Sequence, residues 1–184
     1  MKIKKIYSKA CLFGLVKLIL VSSLLLPLSN VYAQEDLDTK YATELPKPGT
    51  IAPAFTLTTL DGKTVSLSDF KGKYVVLDFW ASWCPDCLRD IPEVQSLYKD
   101  FSKRGVVFVG VSFDNDKSRW QAAVEKHDIQ YLQCSELKKM READIAKQYG
   151  VKWIPSLVVV DPDGKIALST VLSSKVRTFL SGLF

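Results

Sequence analysis

Residues 74–87, YVVLDFWASWCPDC, decide the fold of this chain. The first seven of them are apolar apart from Asp78, and a short apolar run of this kind predicts a strand buried on both faces of a sheet. Over 85–101, apolar residues recur at steps of three and four, which predicts an amphipathic helix. Cys84 and Cys87 therefore lie where a buried strand ends and a helix begins.

The same patterns predict the other elements. Apolar runs or alternating residues bounded by turns indicate strands at 55–58, 64–67, 106–111, 157–160 and 165–170. Apolar residues at helical spacing indicate helices at 118–126, 136–149 and 174–183. The first two strands flank Asp61-Gly62, a pair typical of a tight turn, so an N-terminal β-hairpin is expected. Strands that alternate with helices and end in a hairpin predict an α/β sandwich with a mixed sheet.

The positive charge is concentrated at the start of the chain. The formal net charge of the 184 residues is +5, and residues 1–33 hold five lysines and no acid. The remainder has 20 basic and 20 acidic side chains, which gives no support for nucleic-acid binding. The basic start, the apolar run 18–28 and the residues up to Ala33 predict a signal peptide cleaved after Ala33. The alternative is an uncleaved membrane anchor, which needs about 20 apolar residues and must include Lys17.

The rest of the chain divides into two parts. Residues 34–50 are polar and include two prolines and a glycine, a composition that predicts a flexible lead-in. Residues 51–184 predict one folded domain of ordinary size. Export places the protein in the periplasm or another extracytoplasmic compartment, where disulfides form. An uncleaved leader would anchor it to the membrane there.

Cys84 and Cys87 form a Cys-x-x-Cys pair whose context favours redox chemistry. A structural zinc site needs about four ligands, and the remaining candidates, Cys134 and His127, have the wrong spacing. Unpaired N–H groups and the dipole at a helix start stabilise a thiolate, so Cys84 is expected to ionise below the usual cysteine pKa and to attack disulfides. Cys87, one turn further on, is then the resolving thiol. A plain structural disulfide is the alternative.

Asp78 is an acid inside a strand that is predicted to be buried. Burial without a charged partner raises the pKa of a carboxyl group and keeps it protonated. Asp78 lies six residues before Cys84, at the base of the same loop, so it is a candidate to exchange a proton with Cys87. The alternative is a solvated acid at the end of the strand.

Residues 78–87, DFWASWCPDC, resemble the active-site strand and loop of thioredoxins, including their buried aspartate. Residues 153–156, WIPS, resemble the cis-proline loop of that family. Similarity to the N-terminal hairpin of the exported TlpA/ResA-like branch is found at 52–57, 61–63 and 67–73. The resemblance covers roughly residues 49–165, and it implies a thioredoxin-like three-layer α/β/α sandwich.

This resemblance implies an extracytoplasmic thiol–disulfide oxidoreductase that reduces disulfides of partner proteins, with Cys84, Cys87 and Asp78 as catalytic residues. Apocytochromes are one expected class of substrate. No glycine-rich dinucleotide motif follows a strand, so we expect no cofactor except the redox-active disulfide, and no metal. Electrons are then expected from a membrane dithiol protein, and the protein is expected to be a monomer.

The resemblance also implies a substrate-binding surface beside the disulfide. If Pro155 is cis, its ring covers the disulfide, and the backbone of Ile154 pairs with an extended substrate segment. Trp80, Trp83 and Trp153 are expected to supply an exposed apolar rim for docking another protein, with a place in the core as the alternative that Trp80 favours. Pro85 is a further substrate-binding candidate. An ordinary trans proline at 155 is the alternative reading.

Two residues depart from the thioredoxin pattern. Thioredoxins pair the buried acid with a lysine on the neighbouring strand, but the predicted strand 106–111 contains none. The pKa of Asp78 is therefore expected to be set by other groups than in thioredoxins. Asp86 stands between the two cysteines, and its negative charge is expected to raise the pKa of Cys84 and oppose the helix dipole.

Two other functions remain open at this point. A thiol peroxidase of the peroxiredoxin type has a Pro-x-x-x-Thr-x-x-Cys site, but Leu77 and Ala81 stand at the proline and threonine positions before Cys84. A redox-inert thioredoxin-fold binding module would need neither cysteine.

Cys134 is interpreted as a buried, inert thiol, with a regulatory or mixed-disulfide role as the alternative.

Overall fold

The computed structural model describes residues 36–184, so the predicted signal peptide, 1–33, lies outside the described residues. The strands are β1 (Thr56–Thr59), β2 (Thr64–Ser66), β3 (Val75–Trp80), β4 (Val107–Ser112), β5 (Leu132–Ser135), β6 (Ser156–Val160) and β7 (Ile166–Thr170). The α-helices are α1 (Leu37–Tyr41), α2 (Pro85–Phe101), α3 (Lys117–Lys126), α4 (Asp144–Gln148) and α5 (Ser173–Ser181). Within residues 36–184, no helix has both the length and the apolar character needed to cross a bilayer.

The strands form one mixed sheet in the order β2-β1-β5-β4-β3-β6-β7. β3 pairs in parallel with β4, and β4 with β5, whereas the other neighbours are antiparallel. Parallel neighbours need crossover connections, which α2 and α3 provide. β3 lies inside the sheet between β4 and β6, and all its residues are buried, as its apolar run predicts. The predicted α/β class with a mixed sheet is confirmed.

Helices cover both faces of this sheet. Successive residues of a strand point to opposite faces. On one face, Asp78 and Trp80 of β3 lie against Ile91 of α2, and α2 in turn contacts α5. On the other face, Phe79 packs on Tyr149, which follows α4, with ring centroids 5.5 Å apart. The arrangement is a three-layer α/β/α sandwich.

β1 and β2 are an antiparallel pair at the edge of the sheet. Thr56 lies opposite Ser66, and the connecting turn contains Gly62 with a φ of +83°. A side chain disfavours this left-handed conformation, which explains the glycine at this position. A short 3₁₀ turn follows β2, with Ser66 as its N-cap residue. The Ser66 N–H donates to the Asp69 carboxylate at 2.8 Å.

Residues 36–50 do not form the flexible lead-in that their composition predicts. They pack on the rest of the domain. The carboxylate of Asp38 accepts a hydrogen bond from the Val171 N–H at 2.7 Å. The N–H of Gly49 donates to the carbonyl of Ile166 at 2.8 Å, so the segment also covers the open edge of β7. The partners lie more than a hundred residues further along the chain, where the local composition of the segment gives no sign of them.

The predicted helix 136–149 is wrong over its first half. Within residues 136–149 only α4 (Asp144–Gln148) is an α-helix, and Leu137 has a positive φ of 53°. The side chain of Glu136 turns back and accepts hydrogen bonds from the N–H groups of Asp144 and Ile145, at 3.1 and 2.8 Å. A carboxylate that satisfies N–H groups at a helix start fixes where the helix begins.

Strand β5 has no clear signal in the sequence, because polar residues interrupt it. Gln133 is buried there, and its Oε1 accepts a hydrogen bond from the Trp80 Nε1–H at 2.9 Å. The Gln133 side chain lies directly over Gly110 of β4, where an added Cβ would come within 2.2 Å of it. Tertiary contacts thus satisfy the hydrogen bonds of a buried amide.

Candidate active site

Cys84 and Cys87 form a disulfide at the start of α2. Cys84 is the N-cap residue, and its Sγ accepts a hydrogen bond from the Cys87 N–H at 3.1 Å. Pro85 occupies the first turn, where its missing N–H costs no hydrogen bond. The helix start therefore directs an N–H group at the sulfur of Cys84, as expected for a residue that has to carry a thiolate.

The loop before β6 lies against this disulfide. The Ile154–Pro155 peptide bond is cis, and the carbonyl oxygen of Ile154 is 3.6 Å from Cys84 Sγ. The Ser156 hydroxyl donates to the Trp153 carbonyl at 2.7 Å and holds the turn. Ile154, 70 residues after Cys84 in the chain, thus lies beside its sulfur.

The tryptophans near the cysteines have different environments. Trp83 is 55% exposed and Pro85 is also exposed, so both form part of the surface around the disulfide. Trp153 is partly exposed, and its ring stacks on Tyr41 of α1 with centroids 4.2 Å apart. Trp80 is only 1% exposed and belongs to the core. The apolar rim therefore consists of Trp83, Pro85 and Trp153.

Asp78 is buried and lines the same narrow enclosed space as Cys87. Burial raises the pKa of Asp78 to about 7. The Tyr131 hydroxyl donates to its carboxylate at 2.7 Å and opposes that shift, whereas the negative charge of Asp90 adds to it. A carboxyl group with a pKa near neutrality is able both to accept and to release a proton. The alternative of a solvated acid is wrong.

Tyr131 is the hydrogen-bond partner of Asp78, in place of the lysine found in thioredoxins. On β4, the residue opposite Asp78 is Gly110, so the neighbouring strand supplies no side chain to the acid. Tyr131 reaches Asp78 from the residue before β5, the strand whose pattern gave no signal. Because β5 has no clear signal in the sequence, the hydrogen-bond donor beside it has none either.

Asp90 is a second carboxylate near Cys87. It lies three residues after Cys87 on α2, and its Oδ1 accepts a hydrogen bond from the Ser173 hydroxyl at 2.6 Å. Burial raises the pKa of Asp90, and the charge of Glu93 adds to this effect. The i, i+3 spacing from Cys87 was the available sequence signal, since it places both side chains on one helix face.

Asp114 holds the loop that precedes Cys84. Its buried carboxylate accepts hydrogen bonds from the N–H and the hydroxyl of Ser82, at 2.9 and 2.6 Å, and from the Ser112 hydroxyl at 2.8 Å. Parallel strands β3 and β4 end at the same edge of the sheet, so an acid that follows β4 lies beside the loop that follows β3. No pattern in the sequence around either residue indicates this contact.

Asp86 has a charged partner on the same helix. Its carboxylate forms an ion pair with Arg89, one turn further along α2. The positive charge of Arg89 partly offsets the negative charge that Asp86 places beside Cys84. The predicted opposition between Asp86 and the helix dipole is thereby weakened.

The remaining candidates, Cys134 and His127, lie away from the disulfide. Cys134 is fully buried in β5, and burial raises the pKa of its thiol to about 12, which agrees with an inert residue. His127 ends α3, and its carbonyl accepts a hydrogen bond from the Gln95 side chain. Among residues 36–184, no cluster of three His, Cys, Asp or Glu side chains is arranged to hold a metal ion.

The thiols of the reduced protein are expected to react with iodoacetamide in a fixed order. Cys84 is alkylated first, because the helix start stabilises its thiolate, and Cys87 follows more slowly. Cys134 reacts only after denaturation, because its thiol is buried and protonated. Mass mapping of the adducts over time measures this order. Earlier labelling of Cys87 would reverse the roles of the two residues.

Comparison with known proteins agrees with this site. Residues 48–169 match the profile of the AhpC/TSA family. The thiol-disulfide oxidoreductase ResA of Bacillus thuringiensis subsp. konkukian (strain 97-27) is 33% identical over 118 residues, which cover 64% of this chain and 66% of that protein. This chain thus matches slightly less than two thirds of that relative's length.

Two solved structures extend the similarity to the fold. The thiol-disulfide oxidoreductase from Bacteroides fragilis NCTC 9343 superposes with a TM-score of 0.69 and 28% identity, over 73% of this chain and 100% of that one. The thioredoxin domain of a thiol-disulfide oxidoreductase from Bacteroides vulgatus gives a TM-score of 0.65 and 35% identity, over 73% and 98%. With its fold and its matched region of 122 residues, the chain belongs to the AhpC/TSA family.

Proposed function

We propose that this protein is an extracytoplasmic thiol–disulfide oxidoreductase that reduces disulfides of partner proteins. The observation that carries the proposal is the Cys84–Cys87 disulfide at the start of α2, with Cys84 Sγ receiving an N–H and facing the Ile154 carbonyl. Relatives named thiol-disulfide oxidoreductase support the same chemistry.

The reaction begins with the dithiol form. The Cys84 thiolate attacks one sulfur of the partner disulfide, the partner S–S bond breaks, and the first partner thiolate leaves and takes a proton from solvent. Cys87 then gives its proton to Asp78 and attacks Cys84 Sγ, which breaks the mixed disulfide, and the second partner thiolate leaves and takes up that proton. Two electrons have moved to the partner, and the Cys84–Cys87 disulfide remains.

Asp78 serves this second step as the proton acceptor for Cys87. It lines the same enclosed space as Cys87, and its pKa of about 7 leaves a large fraction of carboxylate at neutral pH. Tyr131 donates to that carboxylate and keeps it oriented. Asp90 lies on the same side and raises the pKa of Asp78 through its charge.

The redox cycle requires partners on both sides. A dithiol protein of the membrane is proposed to return the electrons, because the chain has no dinucleotide-binding motif of its own. Exported proteins with disulfides, apocytochromes among them, are the proposed substrates. Trp83, Pro85, Ile154 and Pro155 are proposed to bind them. Export by the signal peptide and action as a monomer complete the proposal.

An insulin reduction assay tests this function. With dithiothreitol as the electron source, the wild-type protein is expected to accelerate precipitation of reduced insulin chains, whereas Cys84→Ser is expected to give only the uncatalysed rate. Cys134→Ser is the matched control and keeps full activity, because that thiol is buried away from the site. Turnover of hydrogen peroxide without insulin reduction would instead indicate a thiol peroxidase, and neither activity would indicate a binding module.

A further inference from the structure

Asp114 is a buried carboxylate that joins the active-site loop to the sheet. It is 2% exposed and follows the end of β4. Its Oδ1 accepts the Ser82 hydroxyl at 2.6 Å, and its Oδ2 accepts both the Ser82 N–H at 2.9 Å and the Ser112 hydroxyl at 2.8 Å. A carboxylate is buried at low cost only where donors replace its hydration, so these contacts hold Asp114 and the groups that it binds together.

The end of the sheet supplies a rigid base for this carboxylate. Trp80, Ser112 and Ser135 are the last residues of β3, β4 and β5, and they lie side by side. The Ser135 hydroxyl donates to the Ser112 carbonyl at 2.8 Å, and the Asp114 N–H donates to the Ser112 hydroxyl oxygen at 3.0 Å. Asp114 is thereby tied through Ser112 to paired strands of the core, which are the part of a fold that opens least.

The loop that Asp114 holds is the turn that ends at Cys84. The Cys84 N–H donates to the Ala81 carbonyl at 3.2 Å, which closes a four-residue turn over 81–84. Ser82 is the second residue of this turn, and Asp114 binds both its backbone N–H and its hydroxyl. Because two hydrogen bonds to one residue restrict its rotation as well as its position, Asp114 sets the direction in which the chain reaches Cys84.

The position of the Cys84 sulfur depends on this turn once the disulfide is reduced. In the oxidised protein, the bond to Cys87 holds the sulfur at the start of α2. Reduction breaks that bond, and the sulfur is then held by the Cys87 N–H, which lies 3.1 Å away. Cys84 is the N-cap residue and has extended backbone angles, so the regular helix does not fix it. The support has to come from the preceding turn.

We propose that Asp114 is a positioning residue for the attacking thiolate: through Ser82 it keeps the Cys84 sulfur beside the N–H groups of the helix start in the reduced protein. The proposal rests on the proposed function and adds a residue that acts on the cysteine through the loop. Its consequence is chemical, because a sulfur that moves away from those N–H groups loses the stabilisation of its thiolate. The thiolate is the form that attacks the partner disulfide.

Positioning and charge would act on Cys84 with opposite signs. As a positioning residue, Asp114 lowers the pKa of Cys84, so its removal raises that pKa. As a nearby negative charge, it would raise the pKa of Cys84, so its removal would lower that pKa. The variants below leave unchanged the charged groups that β3 and α2 place near the cysteines: Asp78, Asp86, Arg89 and Asp90.

The pH profile of Cys84 alkylation by iodoacetamide in the reduced protein, followed by mass, tests the proposal. Asp114→Ala is expected to raise the midpoint by about one pH unit, a tenfold loss of thiolate, as the loss of about one hydrogen bond to a charged acceptor predicts.

Asp114→Asn is expected to keep the wild-type midpoint. Its amide oxygen accepts from the Ser82 N–H and the Ser112 hydroxyl, and the Ser82 hydroxyl, which is only partly buried, turns to accept from the amide NH₂.

Two further variants separate positioning from a loss of stability. Ser82→Ala removes only the bond between the Ser82 hydroxyl and Asp114, and is expected to raise the midpoint by about half as much. It decides the question if Asp114→Ala fails to fold, because it leaves the buried carboxylate and two of its donors in place. Asp116→Ala is the matched control. It removes a nearby carboxylate that accepts two N–H bonds at the start of α3, and is expected to leave the midpoint unchanged.

The outcomes distinguish this inference from the function on which it rests. A midpoint that Asp114→Ala or, if that variant fails to fold, Ser82→Ala leaves unchanged or lowers would overturn the positioning role. An equal rise in Asp114→Asn or in Asp116→Ala would overturn it too, because neither variant removes the hold on Ser82. If the wild type reduces insulin in any of these cases, only the role of Asp114 is wrong. If the wild type does not reduce insulin, the function is wrong, and the positioning role in that reaction falls with it.

Discussion

Cys87→Ser is expected to accumulate covalent complexes with partner proteins, and Cys84→Ser is expected to form none. In Cys87→Ser, the Cys84 thiolate still attacks a partner disulfide, but the serine hydroxyl is unable to displace the partner from Cys84. The mixed disulfide then persists until an external thiol reaches it. Expression of each variant in the native host, followed by non-reducing gels and mass spectrometry, measures the complexes and identifies the partners.

The double variant Cys84→Ser/Cys87→Ser is the control for nonspecific disulfides through Cys134. Complexes that depend on Cys84 and contain exported thiol proteins, such as apocytochromes, would identify substrates. A complex with a membrane dithiol protein would identify the donor. If no complex depends on Cys84 in a strain whose wild-type protein is found reduced, the reductase function is wrong and the binding module is favoured.

Asp78→Asn is expected to slow thiol–disulfide exchange at neutral pH by about 100-fold, the usual loss when a general base is removed. The amide keeps the shape of the carboxyl group and still accepts the Tyr131 hydrogen bond, but it is unable to take up the Cys87 proton. Measured from about pH 6 to 9, the wild-type rate is expected to rise through the pKa of Asp78, near 7, and the variant is expected to lose this step. Identical profiles would exclude a catalytic role.

The same substitution is expected to change the pH dependence of stability in the oxidised protein. The pKa of Asp78 is about 7 in the folded protein and 3.8 without the surrounding structure. Between these values the folded state binds more protons than the unfolded state, so the wild type loses stability as the pH rises from about 4 to about 7. Asp78→Asn removes this loss, which is on the order of 4 kcal/mol above pH 7. Urea denaturation at several pH values measures it.

Substitutions of two residues near Asp78 are expected to shift its pKa in opposite directions, and they serve as controls. Tyr131→Phe removes the hydrogen bond that favours the carboxylate, so the midpoint of the rate profile is expected at higher pH. Asp90→Asn removes a nearby negative charge, so the midpoint is expected at lower pH. A shift of both midpoints in the same direction would contradict the assignment of the profile to Asp78.

Local pattern was enough to predict the elements that carry the disulfide. The apolar run of β3 and the helical spacing of α2 are properties of consecutive residues, and both elements formed as predicted. The position of Cys84 at the helix start followed directly, because it depends only on the end of one element and the beginning of the next. Asp78 was identified for the same reason, as an acid within a buried strand.

Contacts across the sheet were decided only by the tertiary structure. Asp114 contacts the loop before Cys84 because the parallel strands β3 and β4 end at one edge of the sheet. Tyr131 reaches Asp78 from the residue before β5, and Asp90 of α2 is bonded to Ser173. Residues 36–50 read as flexible from their composition, yet Lys175 and the edge of β7 hold them in place. Hydrogen bonds and ion pairs of this kind link positions far apart in the chain, so they leave no periodic pattern in the sequence around either partner.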